Sequence, residues 1–116
     1  MFNVIIIGAE DTNNYNFFKE KTIKFLSRKA KSGEGITIYT TGDEYIDTFS
    51  KRFGIDERVF YTDWKSNGKD ALKIRDNEIL ETANAIIFFQ NNKKDFNTLF
   101  DQARKKNLPF RLVTVD

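Results

Sequence analysis

Val4-Ile5-Ile6-Ile7 runs without a polar interruption into Gly8-Ala9-Glu10-Asp11, and Ala85-Ile86-Ile87-Phe88-Phe89 has the same character late in the chain. An apolar run this short, bounded by polar or glycine-containing sequence, is what a strand covered by helices on both faces requires. Working outward, apolar runs at residues 2–7, 36–39, 59–61, 85–89 and 110–115 predict five strands. Between them lie segments of helical period. The last carries Phe96, Leu99, Phe100 and Ala103 at i, i+3, i+4 and i+7, with Asp101, Gln102, Arg104 and Lys105 left for solvent. Earlier helices are expected over 15–31, with Phe18, Thr22, Phe25 and Leu26 inward, and over 43–53, using Ile46, Phe49 and Phe53. A further one is expected over 69–82, buried through Ile74, Ile79, Leu80 and Ala83. Pro109 stands between the final helix and the final strand, where it ends one element without interrupting the next. Strict alternation of strand and helix predicts parallel βαβ units. The expected fold is a Rossmann-like three-layer α/β domain with a five-stranded, mainly parallel sheet and four helices.

In open parallel sheets the ligand crevice lies beyond the C-terminal strand ends, where the strand order reverses. Four loops are thereby singled out: 8–14, 40–44, 62–70 and 90–94.

A length of 116 residues with 40% hydrophobic content suits one domain over 1–116. A domain of this size buries roughly two thirds of the surface its unfolded chain exposes, so it needs neither disulfide nor metal to fold. Cysteine and histidine are both absent. Disulfides, Cys-ligated zinc, iron–sulfur clusters, thiol nucleophiles and Ser-His-Asp machinery are therefore excluded. Any chemistry falls to carboxylates, Lys, Arg, Tyr, Ser and Thr. The first apolar run is too short for a membrane span and lacks a basic segment before it, which predicts a cytoplasmic protein without membrane association. The 19 basic residues are scattered and the net charge is only +2, so charge gives little support to nucleic-acid binding. Such folds often pair through edge strands or helices, and a homodimer is compatible with the sequence. The abundance of Asn, Lys, Ile and Phe suits a phage or low-GC bacterial source.

The stretch from Thr62 through Asp63-Trp64-Lys65, Gly68-Lys69 and Ile74-Arg75-Asp76-Asn77-Glu78 to Leu80 resembles the YspA/CpYpsA-related branch of the SLOG superfamily. Members read D-W-K, then an aromatic and G-K/R, then I-R-N-x-E-M-L. The resemblance extends over most of the chain through the order of elements and the closing Asn107-Leu108-Pro109-Phe110-Arg111. It implies a Rossmann-like fold that binds a nucleotide or nucleotide-derived ligand. The chain departs from the family at its three glycine loops. Gly8-Ala9-Glu10 stands where the family has G-G/S-R. Thr41-Gly42-Asp43-Glu44-Tyr45-Ile46-Asp47 replaces G-G-A-x-G-A-D, keeping only Gly42 and Asp47. Asn91-Asn92-Lys93-Lys94-Asp95-Phe96 replaces P-G-G-x-G-T. Glycines there let backbone amides close on a phosphate, so their loss reshapes the pocket. Glu10, Asp11, Asp43 and Glu44 add negative charge to two neighbouring loops and repel an anion unless a cation such as Mg²⁺ intervenes. Two readings follow. Either a nucleotide-like ligand binds, with or without a divalent metal, or the fold has lost the ligand site and presents a surface to a protein partner.

The candidate ligand residues are Gly8, Thr40, Thr41, Gly42, Asp47, Asp63, Trp64, Lys65, Lys69 and Arg75. Arg75 suits phosphate or carboxylate, or else is a solvated helix arginine paired with Asp76 or Glu78. Lys65 and Lys69 neutralise the same anion or are plain solvated charges. Trp64 stacks on a base or anchors its loop against the sheet. Asp63 caps that loop or orients Lys65. Asp47 holds a ribose hydroxyl or is an exposed acid favoured by the helix dipole. Thr40, Thr41 and Gly42 supply amide donors at a helix start. No catalytic residue and no resident metal site is read from the sequence. Of the 12 phenylalanines most are expected in the core, while Phe17-Phe18 and Phe88-Phe89 each pair one inward ring with one open to solvent.

Overall fold

The computed structural model describes residues 1–60, 68–91 and 98–115. Along the chain these form β1 (Phe2–Ile7), α1 (Tyr15–Lys31), β2 (Ile36–Thr40), α2 (Glu44–Phe53), β3 (Asp56–Val59), α3 (Ala71–Thr82), β4 (Ala85–Asn91), α4 (Thr98–Lys105) and β5 (Phe110–Val115). Short 3-10 turns at Ala9–Thr12 and Gly68–Asp70 follow β1 and precede α3. The five strands form one parallel sheet in the order β3-β2-β1-β4-β5. The chain runs outward from β1 to β3, then returns to the other side of β1 for β4 and β5, so the order reverses between β1 and β4. The expected Rossmann-like α/β architecture is the architecture found.

Alternation along β1 divides its side chains between two cores. Val4 and Ile6, with Ile87, Phe89 and Val113 of the neighbouring strands, pack under Phe18 and Leu26 of α1 and Ile46 and Phe49 of α2. Ile5, with Ile86 and Phe88, packs under Ile79 and Leu80 of α3 and Ala103 of α4. Phe88 and Phe89 are thus both buried, 5% and 4% exposed, because the central sheet is covered on both faces; neither ring is the open one the sequence suggested. Phe18 is fully buried and Phe17 only partly so.

Three expectations shift. The third strand is not the apolar run 59–61 but the charged stretch Asp56-Glu57-Arg58-Val59, with Phe60 N–H adding one more bond to the Thr40 carbonyl at 2.8 Å. β3 is an edge strand, so its outer surface meets water and charge there discourages pairing with another chain. Tyr61 lies outside the described residues, as does Phe96 of the closing helix stripe. Phe53, at the last position of α2, is 48% exposed although its ring stacks 4.6 Å from Phe49. Ile74 is 37% exposed, and among the described residues of α3 it is Ala71, Ile79 and Leu80 that are buried. Among the described residues no helix is long and apolar enough to cross a membrane.

The aromatic centre of the first core is Phe18, whose ring lies 5.3 Å from Phe89, 5.6 Å from Phe49, 6.0 Å from Tyr15 and 6.2 Å from Tyr45. One side chain therefore ties α1 to α2 and to the sheet. Phe18→Ala is expected to lower the unfolding free energy by about 3–5 kcal/mol, the range for emptying a buried phenylalanine site, as read by urea denaturation.

Candidate functional site

The switch point between β1 and β4 brings the first two candidate loops to the C-terminal edge of the sheet. Gly8 follows β1 with φ +81°, and a Cβ built there would collide with the Phe89 carbonyl oxygen of β4. Only glycine fits this close approach, so the residue is fixed by backbone packing between the two strands.

From Gly8 the chain enters the Ala9–Thr12 turn, and the loop after β2 stands beside it. The two loops exchange side chains. Glu10 N–H donates to Asp43 Oδ2 at 3.0 Å, and Glu44 N–H donates to Glu10 Oε1 at 2.6 Å. Asp43 Oδ1 in turn accepts from Tyr45 N–H at 2.9 Å and Ile46 N–H at 3.3 Å, which caps α2. Asp43 is extended at φ −151°, ψ 121°, the backbone an N-cap residue adopts. Gly42 N–H donates to Thr40 Oγ1 at 3.2 Å, and Thr40 itself is buried.

These bonds decide what the loops can offer. Helix N-termini and turn amides bind phosphate because their N–H groups are unpartnered and carry positive partial charge. Here Glu10, Gly42, Glu44, Tyr45 and Ile46 all direct their N–H groups to acceptors within the chain, four of them to carboxylate oxygens. Two of the acids that the sequence marks as repelling an anion therefore stand in the place of one. Burial is the main influence on Asp43 and pushes its carboxyl above the usual range, helped by the neighbouring Glu10 charge and opposed by the three N–H bonds. Among the described residues no three acidic side chains converge as a metal-holding group.

Asp47 sits in the first turn of α2. Its carboxylate contacts Lys51 Nζ at 3.0 Å and shares a hydrogen bond with Glu57 on β3, and Lys51 holds it below the ordinary carboxylate range. Glu57 is raised to about 7, first by burial and then by its hydrogen bond to Asp47. Glu57 carried no signal in the sequence, since its partner lies ten positions away across a helix-to-strand connection.

Lys69 belongs to the Gly68–Asp70 turn, and α3 begins after it without a side-chain cap at Asp70. Arg75 is half-buried one turn further along α3. Asp63, Trp64 and Lys65 lie outside the described residues. Gly8, Thr40, Thr41 and Gly42 thus share the β1 and β2 loops, Asp47 faces the β3 edge, and Lys69 and Arg75 belong to the α3 entrance. No family model, curated protein or solved structure matches the chain.

Two outcomes follow from the carboxylates. Asp43→Ala strands the N–H groups of Glu10, Tyr45 and Ile46, and is expected to cost about 1–2 kcal/mol in denaturant unfolding, the range for a lost N-cap. Glu57 has a folded pKa of about 7 against an ordinary value of 4.5, so the folded state holds its proton more tightly. Its stabilising contribution is complete below pH 4.5 and is lost as pH rises towards 7. A melting-temperature series across that window is expected to slope downward, and Glu57→Gln to flatten it.

Proposed function

We propose that this protein is a non-enzymatic interaction or accessory protein that keeps a Rossmann-like scaffold and has filled its phosphate cradle with its own carboxylates. The observation that supports this is the exchange between Glu10 and Asp43: the amides of Glu10, Glu44, Tyr45 and Ile46 are already bonded to carboxylate oxygens. An incoming anion would have to displace charge-assisted hydrogen bonds, the strong class, and then lie beside two negative charges. Such a crevice favours keeping the fold for what its surface presents.

A second reading has its own support. The α3 entrance, with Lys69 in the preceding turn, Arg75 one turn in and no side-chain cap at Asp70, suits a small nucleotide-derived ligand held from that side alone. It is this segment whose spacing resembles the SLOG superfamily.

Thermal shift with a nucleotide panel, with and without Mg²⁺, separates the two. A bound ligand at 100 times its Kd adds about 2.7 kcal/mol to stability. Under the first reading the wild-type melting curve stays unmoved, while Glu10→Ala, which frees the Glu44 amide and removes one charge, becomes measurably stabilised by inorganic phosphate. A nucleotide that shifts the wild type, with the shift abolished in Arg75→Ala, would overturn the first reading in favour of the second.

A further inference from the structure

A second surface lies at the opposite end of the sheet from the crevice. The right-handed β1–α1–β2 and β2–α2–β3 crossovers carry both helices of one face towards the β3 edge. An open groove of about 600 Å³ remains between the C-terminal half of α1 and strands β4 and β5. Val4 of β1, Ile87 of β4 and Phe25 of α1 give it apolar walls and floor. Lys24, Arg28 and Lys29 stand on the α1 bank and Arg111 on the β5 bank, and no Asp or Glu lines it. Lys29 lies 4.9 Å from the Phe2 ring and pairs with Glu34 at 3.5 Å. Lys24, Arg28 and Arg111 are exposed and have no acidic partner among the described residues.

We propose that this groove docks an acidic amphipathic helix of a partner protein. The apolar stripe of such a helix would lie on the partly exposed Phe25 and Phe2 and on Pro109, above the buried floor of Val4 and Ile87, with carboxylates on its two flanks meeting Lys24 and Arg28 on one side and Arg111 on the other. Two features select this occupant. Cations on both banks match a stripe flanked by acids on both sides, whereas a single acyl carboxylate would need only one cation. Lys24 and Arg28 are also one helical turn apart, about 6 Å along the axis, the spacing of successive acids on a facing helix. The proposal rests on the interaction reading above and names the class of partner it serves.

The probe is a labelled helical peptide with leucines at three- and four-residue intervals and glutamates on both flanks, titrated against the full chain. It is expected to bind the wild type, more weakly as salt rises. Arg28→Glu combined with Arg111→Glu is expected to weaken it by roughly tenfold or more, and Arg28→Lys with Arg111→Lys to retain it. The lysine pair keeps the test valid if charge reversal disturbs folding. Equal binding of a lysine-flanked peptide, or undiminished binding to the folded reversed variant, would overturn the proposal. So would a dimer of the full chain that the reversed variant dissolves, which would give the groove to a second copy. Nucleotide shifts in wild type alongside intact peptide binding would sink the reading of the crevice and leave the groove standing; silent nucleotides with no peptide binding would sink the groove alone.

Discussion

β1 is hydrogen-bonded along both edges, to β2 and to β4, and is covered on both faces, so each of its six residues meets a constraint from a different part of the chain. Its even-numbered positions belong to the α1 and α2 core and Ile5 to the α3 and α4 core, so a slip of one residue would exchange the two. The same constraint extends one residue past the strand. Because β4 is held in register with Ile7 opposite Phe88, the Phe89 carbonyl lies against the next residue, and that residue must be glycine. The turn that follows is therefore aimed by the sheet rather than by its own sequence, and Glu10 arrives beside Asp43 as a consequence.

That arrival changes the electrostatics of a fold whose usual use is to bind anions. In doubly wound sheets the helix N-termini converge on the C-terminal edge of the strands and make it positive. Here Asp43 caps α2 and Glu10 takes the next amide, so the partial charge is neutralised from within. Each carboxylate stays because it is bonded: Asp43 accepts three N–H groups even though burial disfavours its charge. The arrangement follows the ordinary rule that buried acids need donors, and it gives the start of α2 a structural role.

The sequence was most legible where burial is two-sided. β1 and α1 fall where the sequence places them, because their inward side chains are selected by packing, whereas β5 keeps its expected bounds although Phe110, Arg111 and Leu112 are exposed. β3 escaped since an edge strand shows charge rather than apolar period, and Phe53 and Ile74 were misplaced since a helical stripe does not say where its helix runs off the sheet. At the site, the acids were visible as an excess of charge on two loops. Their pairing was not, because the bonds span 33 and 34 positions and depend on how β1 and β2 set the loops side by side. A sequence read for ligand contacts treats such charges as repulsion, while the folded chain uses them as acceptors.

The distribution of cations completes this reversal. Arg28, Lys29 and Lys31 occupy the last turn of α1, where the helix dipole favours positive charge, so their presence has a sufficient local reason. Arg111 has none of that kind. It lies on an edge strand, exposed, opposite Ile87 in the ladder and on the same sheet face as α1. An edge strand gains protection from pairing by carrying a charge, but protection alone does not require the charge to stand on this face. Its placement across the groove from Lys24 and Arg28 is what makes the two banks alike in sign, with apolar walls between them.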